Sequence, residues 1–213
     1  MNERSVNIKD PAVSPRSATQ NDALRADARD RIERAALRVF ARSGYAGSSV
    51  RDVAREAGVA QGLLYNYYAG KSELLAAIMR RAMADVAQSF AAAQINASPA
   101  EQLAHLIHTS FALVQEHLEF WQLLYGVRQQ PDVLGALSVE LFEFTAQVRA
   151  TLEAHLVALH DPMPAVRARL LFATIDGVAQ HYAMESDRYP LTAVAHEVVT
   201  LFTGLTQPLK IAE

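Results

Sequence analysis

The sequence predicts an all-α protein, and three observations carry that prediction. Apolar residues recur at helical spacing through the long segments. Start and stop signals punctuate the chain, with Ser49 three residues before Asp52, Gly58, and the run Ser98-Pro99-Ala100-Glu101. Residues 48 to 75 read as two short helices and a tight turn that lead into a longer helix. With 213 residues and 51% hydrophobic content, the chain can bury one sizeable core or two small ones. It has no run of eighteen apolar residues, no apolar signal core at its polar N-terminus and no cysteine. The expectation is a cytoplasmic protein with no membrane span, disulfide or thiolate metal site.

Residues 1 to 23 combine prolines with Ser, Asn and Asp and show no apolar period, which reads as a mobile tail. A first helix follows from about Asp22 to Ser43, with Ile32, Ala36, Val39 and Phe40 as its buried stripe and Gly44 as its stop. The second spans 50 to 57. Ser49 and Asp52 form a capping box, Val53, Ala54 and Ala57 share a face, and Gly58 ends the helix. Three residues turn the chain into a third helix over about 61 to 68, whose Leu64 and Tyr68 make a narrow inner stripe. Its other faces carry Gln61, Gly62, Leu63, Tyr65, Asn66 and Tyr67. A short amide-bearing and aromatic helix after a three-residue turn suits entry into a major groove, where Gln and Asn pair with adenine edges and Tyr hydroxyls reach phosphates. From spacing alone an ordinary helical hairpin fits equally well.

The net charge of −3 argues against a nucleic-acid binder, but its distribution argues for one. Residues 24 to 81 hold 11 Lys and Arg against 6 Asp and Glu, whereas residues 82 to 213 hold 6 against 14. A basic end on an acidic body is what phosphate contact at one end requires.

Phe40, Gly44-Tyr45, Ser48-Ser49, Val53-Ala54, Ala57-Gly58-Val59, Leu64-Tyr65, Tyr68, Lys71 and Leu74-Leu75 agree in one ungapped register. Over about residues 29 to 79 the chain resembles the DNA-binding half of the tetracycline-repressor (TetR) family; beyond residue 80 the resemblance is architectural. The resemblance implies about nine helices: a tail over 1–23, a three-helix helix-turn-helix domain over 24–79, and an effector-binding and dimerisation domain over 80–213. It implies a homodimeric transcriptional regulator, usually a repressor, on a pseudo-palindromic operator of double-stranded DNA, answering to a hydrophobic small molecule. Carried over position by position, Ser49 and Lys71 would meet phosphate and Arg51 phosphate or base. Gln61, Gly62, Leu63 and Asn66 would face bases, and Tyr65 and Tyr67 the backbone or a thymine methyl. Ala60 and Leu63 stand where many relatives carry hydroxyl residues, which implies one fewer phosphate contact and a more apolar groove contact.

Gly70-Lys71-Ser72 could end a phosphate-binding loop, but that motif needs glycine at position 65, which is Tyr. Gly70 instead reads as the N-cap of a fourth helix that continues to about Gln94, with Leu74, Leu75, Ile78 and Met79 packed on the first. Ser98, Pro99 and Glu101 start a fifth, with Leu103, Ile107, Phe111 and Val114 on one face. Periodicity alone would extend it through Arg128; the resemblance implies a break near His117 and a separate sixth helix carrying Phe120, Trp121, Leu124 and Tyr125. Pro131-Asp132 would open a seventh, with the stripe Leu141, Thr145, Val148, Leu152 and Leu159. The eighth, about 163 to 185, is apolar on two faces: Leu170, Thr174 and His181 on one, Leu171, Ile175, Val178 and Tyr182 on the other. A ninth runs from Pro190 to about Gly204.

Two apolar faces call for a partner. The resemblance implies an intersubunit four-helix bundle, to which Leu171, Ile175, Val178, Tyr182, Val194, Val198 and Leu201 are assigned; a purely internal core is the alternative. For the effector, His108, Phe111, Trp121, Tyr125, Phe142, Phe172 and His181 converge on the middle of the second domain, in a mixture that equally suits a core. His105 and His108 lack a carboxylate to complete a metal site, and no cofactor loop, hydrolase elbow or zinc-protease helix is present. Neither a metal nor a cofactor is expected. An all-helical enzyme, or a dimer that binds DNA without sequence preference, would share these features.

Overall fold

The computed structural model describes residues 18–92, 95–128, 130, 133 and 135–206. Among them the fold is all-α, with nine α-helices and no strand. In chain order they are α1 (Ala18–Ser43), α2 (Val50–Ala57), α3 (Gln61–Tyr65), α4 (Lys71–Ala92), α5 (Pro99–Glu116), α6 (Leu118–Arg128), α7 (Ser138–Ala158), α8 (Pro164–Glu185) and α9 (Leu191–Thr203), with a 3₁₀ turn over Gly135–Leu137.

The local signals act as read. Ser49 accepts from the Asp52 amide while the Asp52 carboxylate accepts from the Ser49 amide, closing the capping box at α2. Gly58 ends that helix at φ 65°, a left-handed conformation that a side chain would resist. Ser98 and Glu101 repeat the box at α5. The break at His117 is present, and its φ of −114° and ψ of 39° leave the helical region. Gly204, at φ 73°, terminates α9.

The elements differ from expectation at their edges. α1 begins at Ala18, inside the stretch read as tail; residues 1–17 lie outside the described residues. Residues 20–27 of α1 are exposed and Ala28 is buried, so those turns carry no stripe for periodicity to detect, and the pairs Arg31–Asp27 and Arg34–Asp30 lie along the exposed surface. α3 is shorter than 61 to 68. After Tyr65 the bonds tighten, with the Asn66 amide donating to Leu63 and the Tyr67 amide to Leu64, and the chain leaves the α-helix while still coiled. The expected start at Pro131-Asp132 lies outside the described residues, as does the expected end of the fourth helix at Gln94; α7 begins at Ser138.

Two large cores form. The first gathers Ile32, Val39 and Phe40 of α1, Val53 of α2, Leu64 of α3, and Leu74, Leu75, Ile78 and Met79 of α4. Phe120, Leu123 and Val127 of α6 belong to the same core, so the head carrying α2 and α3 is closed from below by a helix of the body. The second core packs Leu103, Ile107 and Phe111 of α5 against Leu152 and Leu156 of α7, Leu171 of α8 and Val198 and Phe202 of α9. α4 runs unbroken from the head into the body, so the boundary at 79/80 falls within a helix. Arg80 bridges to Glu140 of α7 through paired hydrogen bonds of 2.8 and 2.9 Å.

Leu123→Ala is expected to cost about 2–5 kcal/mol, the usual loss for truncating a buried leucine. Because Leu123 lies in the head's core, amide exchange should accelerate in α1 as well as in α6. Acceleration confined to α6 would show that the head is closed without it.

Candidate nucleic-acid interface and ligand cavity

The head holds α3 by one side and leaves the other open. Leu64 is fully buried, and Tyr68, just beyond the helix, donates its phenol to Glu33 at 2.6 Å. Burial, then the hydrogen bond and the charge of Glu33, raise the Tyr68 hydroxyl far above the ordinary tyrosine range, so it remains a donor. Glu33 also lies 3.3 Å from Arg81 of α4, and Arg38 and Arg42 of α1 reach Glu56 of α2. With its inner side anchored, α3 presents Gln61, Gly62, Leu63 and Tyr65 to solvent, its C-cap Asn66 continues that exposed face, and Arg51 stands exposed on α2. A methyl group at Gly62 would meet no protein atom within 4 Å. Tyr67 is half-buried, with Arg29 over its ring.

Two residues assigned to phosphate have work inside the domain. The Ser49 hydroxyl is engaged with Asp52. Lys71 Nζ donates to the carbonyls of Tyr45 at 2.6 Å and Ser48 at 3.0 Å, with Ala46 at 3.4 Å, and sits 4.4 Å from the centre of the Tyr45 ring. The three donors of its ammonium are thus directed at the turn that delivers α2. Lys71 thus fastens the α1–α2 connection at the edge of the face where a phosphate contact is expected of it.

The body forms a cavity of about 430 Å³ that is open to solvent on one side. α4 contributes Met83, Val86 and Phe90, α6 contributes Phe120, Trp121, Leu124, Tyr125 and Arg128, α7 contributes Leu141, Phe142 and Phe144, and α8 contributes Phe172, Ile175 and Asp176. Of the expected residues, Trp121, Tyr125, Phe142 and Phe172 line it. Phe142 is also 69% exposed, which puts it at the mouth. Phe111 is packed in the second core, His108 lies on the same helix away from the cavity, and His181 is exposed, stacked on Tyr189. Sequence reading misses Met83, Val86 and Phe90, because the fourth helix is read there only for the residues that pack on the first. It also missed Arg128, whose Nη1 lies 2.9 and 3.0 Å from the Asp176 carboxylate oxygens. The Tyr125 phenol donates to the same carboxylate at 3.2 Å. Burial, then the negative charge of Asp176, hold that phenol far above its ordinary range, so it too is a donor.

The residues assigned to a subunit interface divide. Leu171, with no exposed surface, and Val198 belong to the subunit's own second core, and Ile175, Val178, Tyr182 and Val194 pack against it half-buried. Of that set only Leu201, 66% exposed, faces outward. The apolar residues that do face outward on α8 are Ala165, Val166, Leu170, Ala173 and Met184. The outward face is therefore the one through Leu170 and His181, because α5, α7 and α9 take up the other.

A helix-turn-helix head on a helical body that forms an apolar cavity defines a class of DNA-binding regulators. Residues 32–78 match the model of bacterial regulatory proteins of the tetR family. The chain is 32% identical over 157 residues to the HTH-type transcriptional regulator BetI of Agrobacterium fabrum, covering 71% of this chain and 75% of that one. It is 24% identical over 187 residues to the fatty acid metabolism regulator protein of Bacillus subtilis, covering 80% and 91%. A transcriptional regulator from Rhodococcus sp. RHA1 shares the fold at a TM-score of 0.73 and 24% identity, over 83% of this chain and 94% of that one. Bacillus subtilis FadR, solved in complex with stearoyl-CoA, does so at 0.69 and 23%, over 82% and 98%. The chain belongs to the TetR family and is a transcriptional regulator. Among the described residues no helix is long and apolar enough to cross a membrane, and no group of His, Asp and Glu could hold a metal.

Lys71→Ala is expected to lower the melting temperature and weaken DNA binding while leaving the slope of log affinity against log salt unchanged. Loss of a phosphate contact would reduce that slope by about one. A second expectation concerns acid. Burial, then the charges of His196 and His105, hold His108 below its ordinary 6.5, and burial does the same to His155. The folded state favours their neutral forms, so the stability they contribute is full above the unfolded value and is lost as the pH falls below it. The melting temperature should drop between about pH 7 and about pH 5, before the carboxylates titrate. His108→Gln combined with His155→Gln should reduce that drop.

Proposed function

We propose that the protein is a homodimeric repressor that sets two copies of α3 into successive major grooves of a pseudo-palindromic operator, about 34 to 36 Å apart, and that a small molecule in the cavity releases it. The observation that carries this reading is the two-sidedness of α3: Leu64 is locked in the core, while Gln61, Gly62, Leu63, Tyr65 and Asn66 are exposed together. Gln61 and Asn66 offer bidentate partners for adenine, Leu63 and Tyr65 apolar contact for thymine methyls, and Arg51 a cation at the groove edge. α3 carries no charged side chain, so A·T pairs are the expected core of each half-site.

The second copy is supported by the outward stripe of α8. Val166, Leu170, Ala173, Gly177, His181 and Met184 recur at helical spacing, with Leu201 of α9 nearby in sequence order on the next helix. Leu170 is 56% and Met184 76% exposed, a costly arrangement for a lone subunit. Ala173 and Gly177 at the centre of the stripe allow two backbones to approach closely. Release is supported by α6, which walls the cavity and closes the head's core. A ligand that prefers one position of α6 must act on the head, and operator and effector then weaken each other by the same factor. The likeness to a regulator solved with stearoyl-CoA supports a ligand-responsive role.

The experiment is selection of duplexes from a randomised pool. Enrichment of an inverted repeat is expected, with Asn66→Ala relaxing preference at particular A·T positions by about 1–3 kcal/mol. Leu170→Glu should yield a folded monomer in sedimentation that binds the repeat far more weakly. Unchanged base preference in the Asn66 variant, or dimers that persist in the Leu170 variant, would overturn these assignments.

A further inference from the structure

The polar side chains that line the cavity already have partners inside the subunit. Ser110, Ser138 and Thr145 donate to the carbonyls of Leu106, Gly135 and Phe142 at 2.9, 3.0 and 3.0 Å. The Trp121 indole N–H reaches the Leu113 carbonyl at 3.4 Å. Arg128 and Asp176 are the cation and the anion of the lining, and they pair with each other. The rest of the wall is aliphatic and aromatic.

We propose that the effector is an uncharged amphiphile, with an apolar body filling the lumen between Phe90, Trp121 and Phe172 and one hydrogen-bond donor directed at Asp176. The inference rests on the reading of this cavity as the effector site. An anion that approached Arg128 would meet Asp176 already in place, and a cation that approached Asp176 would meet Arg128. Either would give up part of its hydration to approach a pair whose charges cancel and whose members, Arg128 at 45% and Asp176 at 28% exposure, are screened by water, so little Coulomb energy is returned to it. A neutral donor faces no such opposition. Asp176 Oδ1 accepts from both Tyr125 and Arg128, whereas Oδ2 accepts from Arg128, and a carboxylate oxygen has room for about two donors. A cavity of about 430 Å³ lies within the range, roughly 300–1,000 Å³, of small-molecule sites, and its aromatic walls favour a compact apolar body.

The chain contains one tryptophan, which lines the cavity and also a smaller cleft against α1, so its emission reports on both, and a response altered by Asp176→Asn, a residue of the cavity alone, assigns the signal to the cavity. Four optically silent probes with the same ten-carbon body separate the possibilities: 1-decanol, 1-methoxydecane, decanoate and decyltrimethylammonium. Titrated against the full-length protein, decanol should shift Trp121 emission at the lowest concentration. The donor-less ether should bind more weakly, and each ion at least about tenfold more weakly than decanol. In the Asp176→Asn variant, checked for folding by circular dichroism, Arg128 loses its counter-ion, and the affinity of decanoate relative to decanol should rise at least about tenfold. An ion that binds the wild-type protein as tightly as decanol, an ether that matches it, or silence from all four probes would overturn the proposal. Duplex binding followed in the same samples keeps the two readings apart: decanol that binds at the tryptophan without weakening the DNA complex would overturn the effector role and leave the ligand class standing.

Discussion

Helix α6 belongs to two structures at once. Leu123 and Val127 point into the core beneath α2 and α3, Trp121, Leu124, Tyr125 and Arg128 wall the cavity, and Phe120 belongs to both. These sets sit on adjacent faces of one eleven-residue helix, so neither can shift independently of the other. Packed interiors do not deform continuously. An occupant that displaces α6 must either open a void against α1 or carry α1 with it. Trp121 marks the division, because it also lines a smaller cleft between α1 and α4 on the far side of the cavity wall.

The helix-turn-helix head uses equally few parts. α1 and α4 clamp α2 and α3 through a continuous apolar core, and polar contacts set the fine geometry. Lys71 holds the α1–α2 turn by its carbonyls, Glu33 holds Tyr68, and Glu56 holds α2 to α1. The ion pairs among them are surface features that contribute little energy individually. Their effect is to fix angles between helices, which is what groove recognition demands. Arg80–Glu140 places a similar tie between α4 and α7.

The family model ends at residue 78, and the harder questions begin there. α8 illustrates why. Its two apolar faces were both visible in the sequence, yet Leu171 proved fully buried and Leu170 more than half exposed. Period alone says that a helix has two faces to cover and not which neighbour covers which. The cavity raises the same difficulty. Phe111 and Phe172 look alike in sequence, but one fills the second core and the other lines open space, since a void is a property of how five helices fail to meet. Arg128 was unmarked because its partner Asp176 lies two helices away.

What the sequence determined by itself is local and short in range: capping boxes at Ser49 and Ser98, left-handed stops at Gly58 and Gly204, and the inward stripe of α1. Each depends on residues within a turn or two, so the chemistry needed to recognise it is contiguous. The tertiary structure decided the rest: which face of α8 turns outward, that Lys71 serves a turn, that α6 is common to the head and the cavity, and that the charges in the cavity cancel. These depend on groups brought together from distant parts of the chain, whose spacing along the sequence carries no record of their meeting.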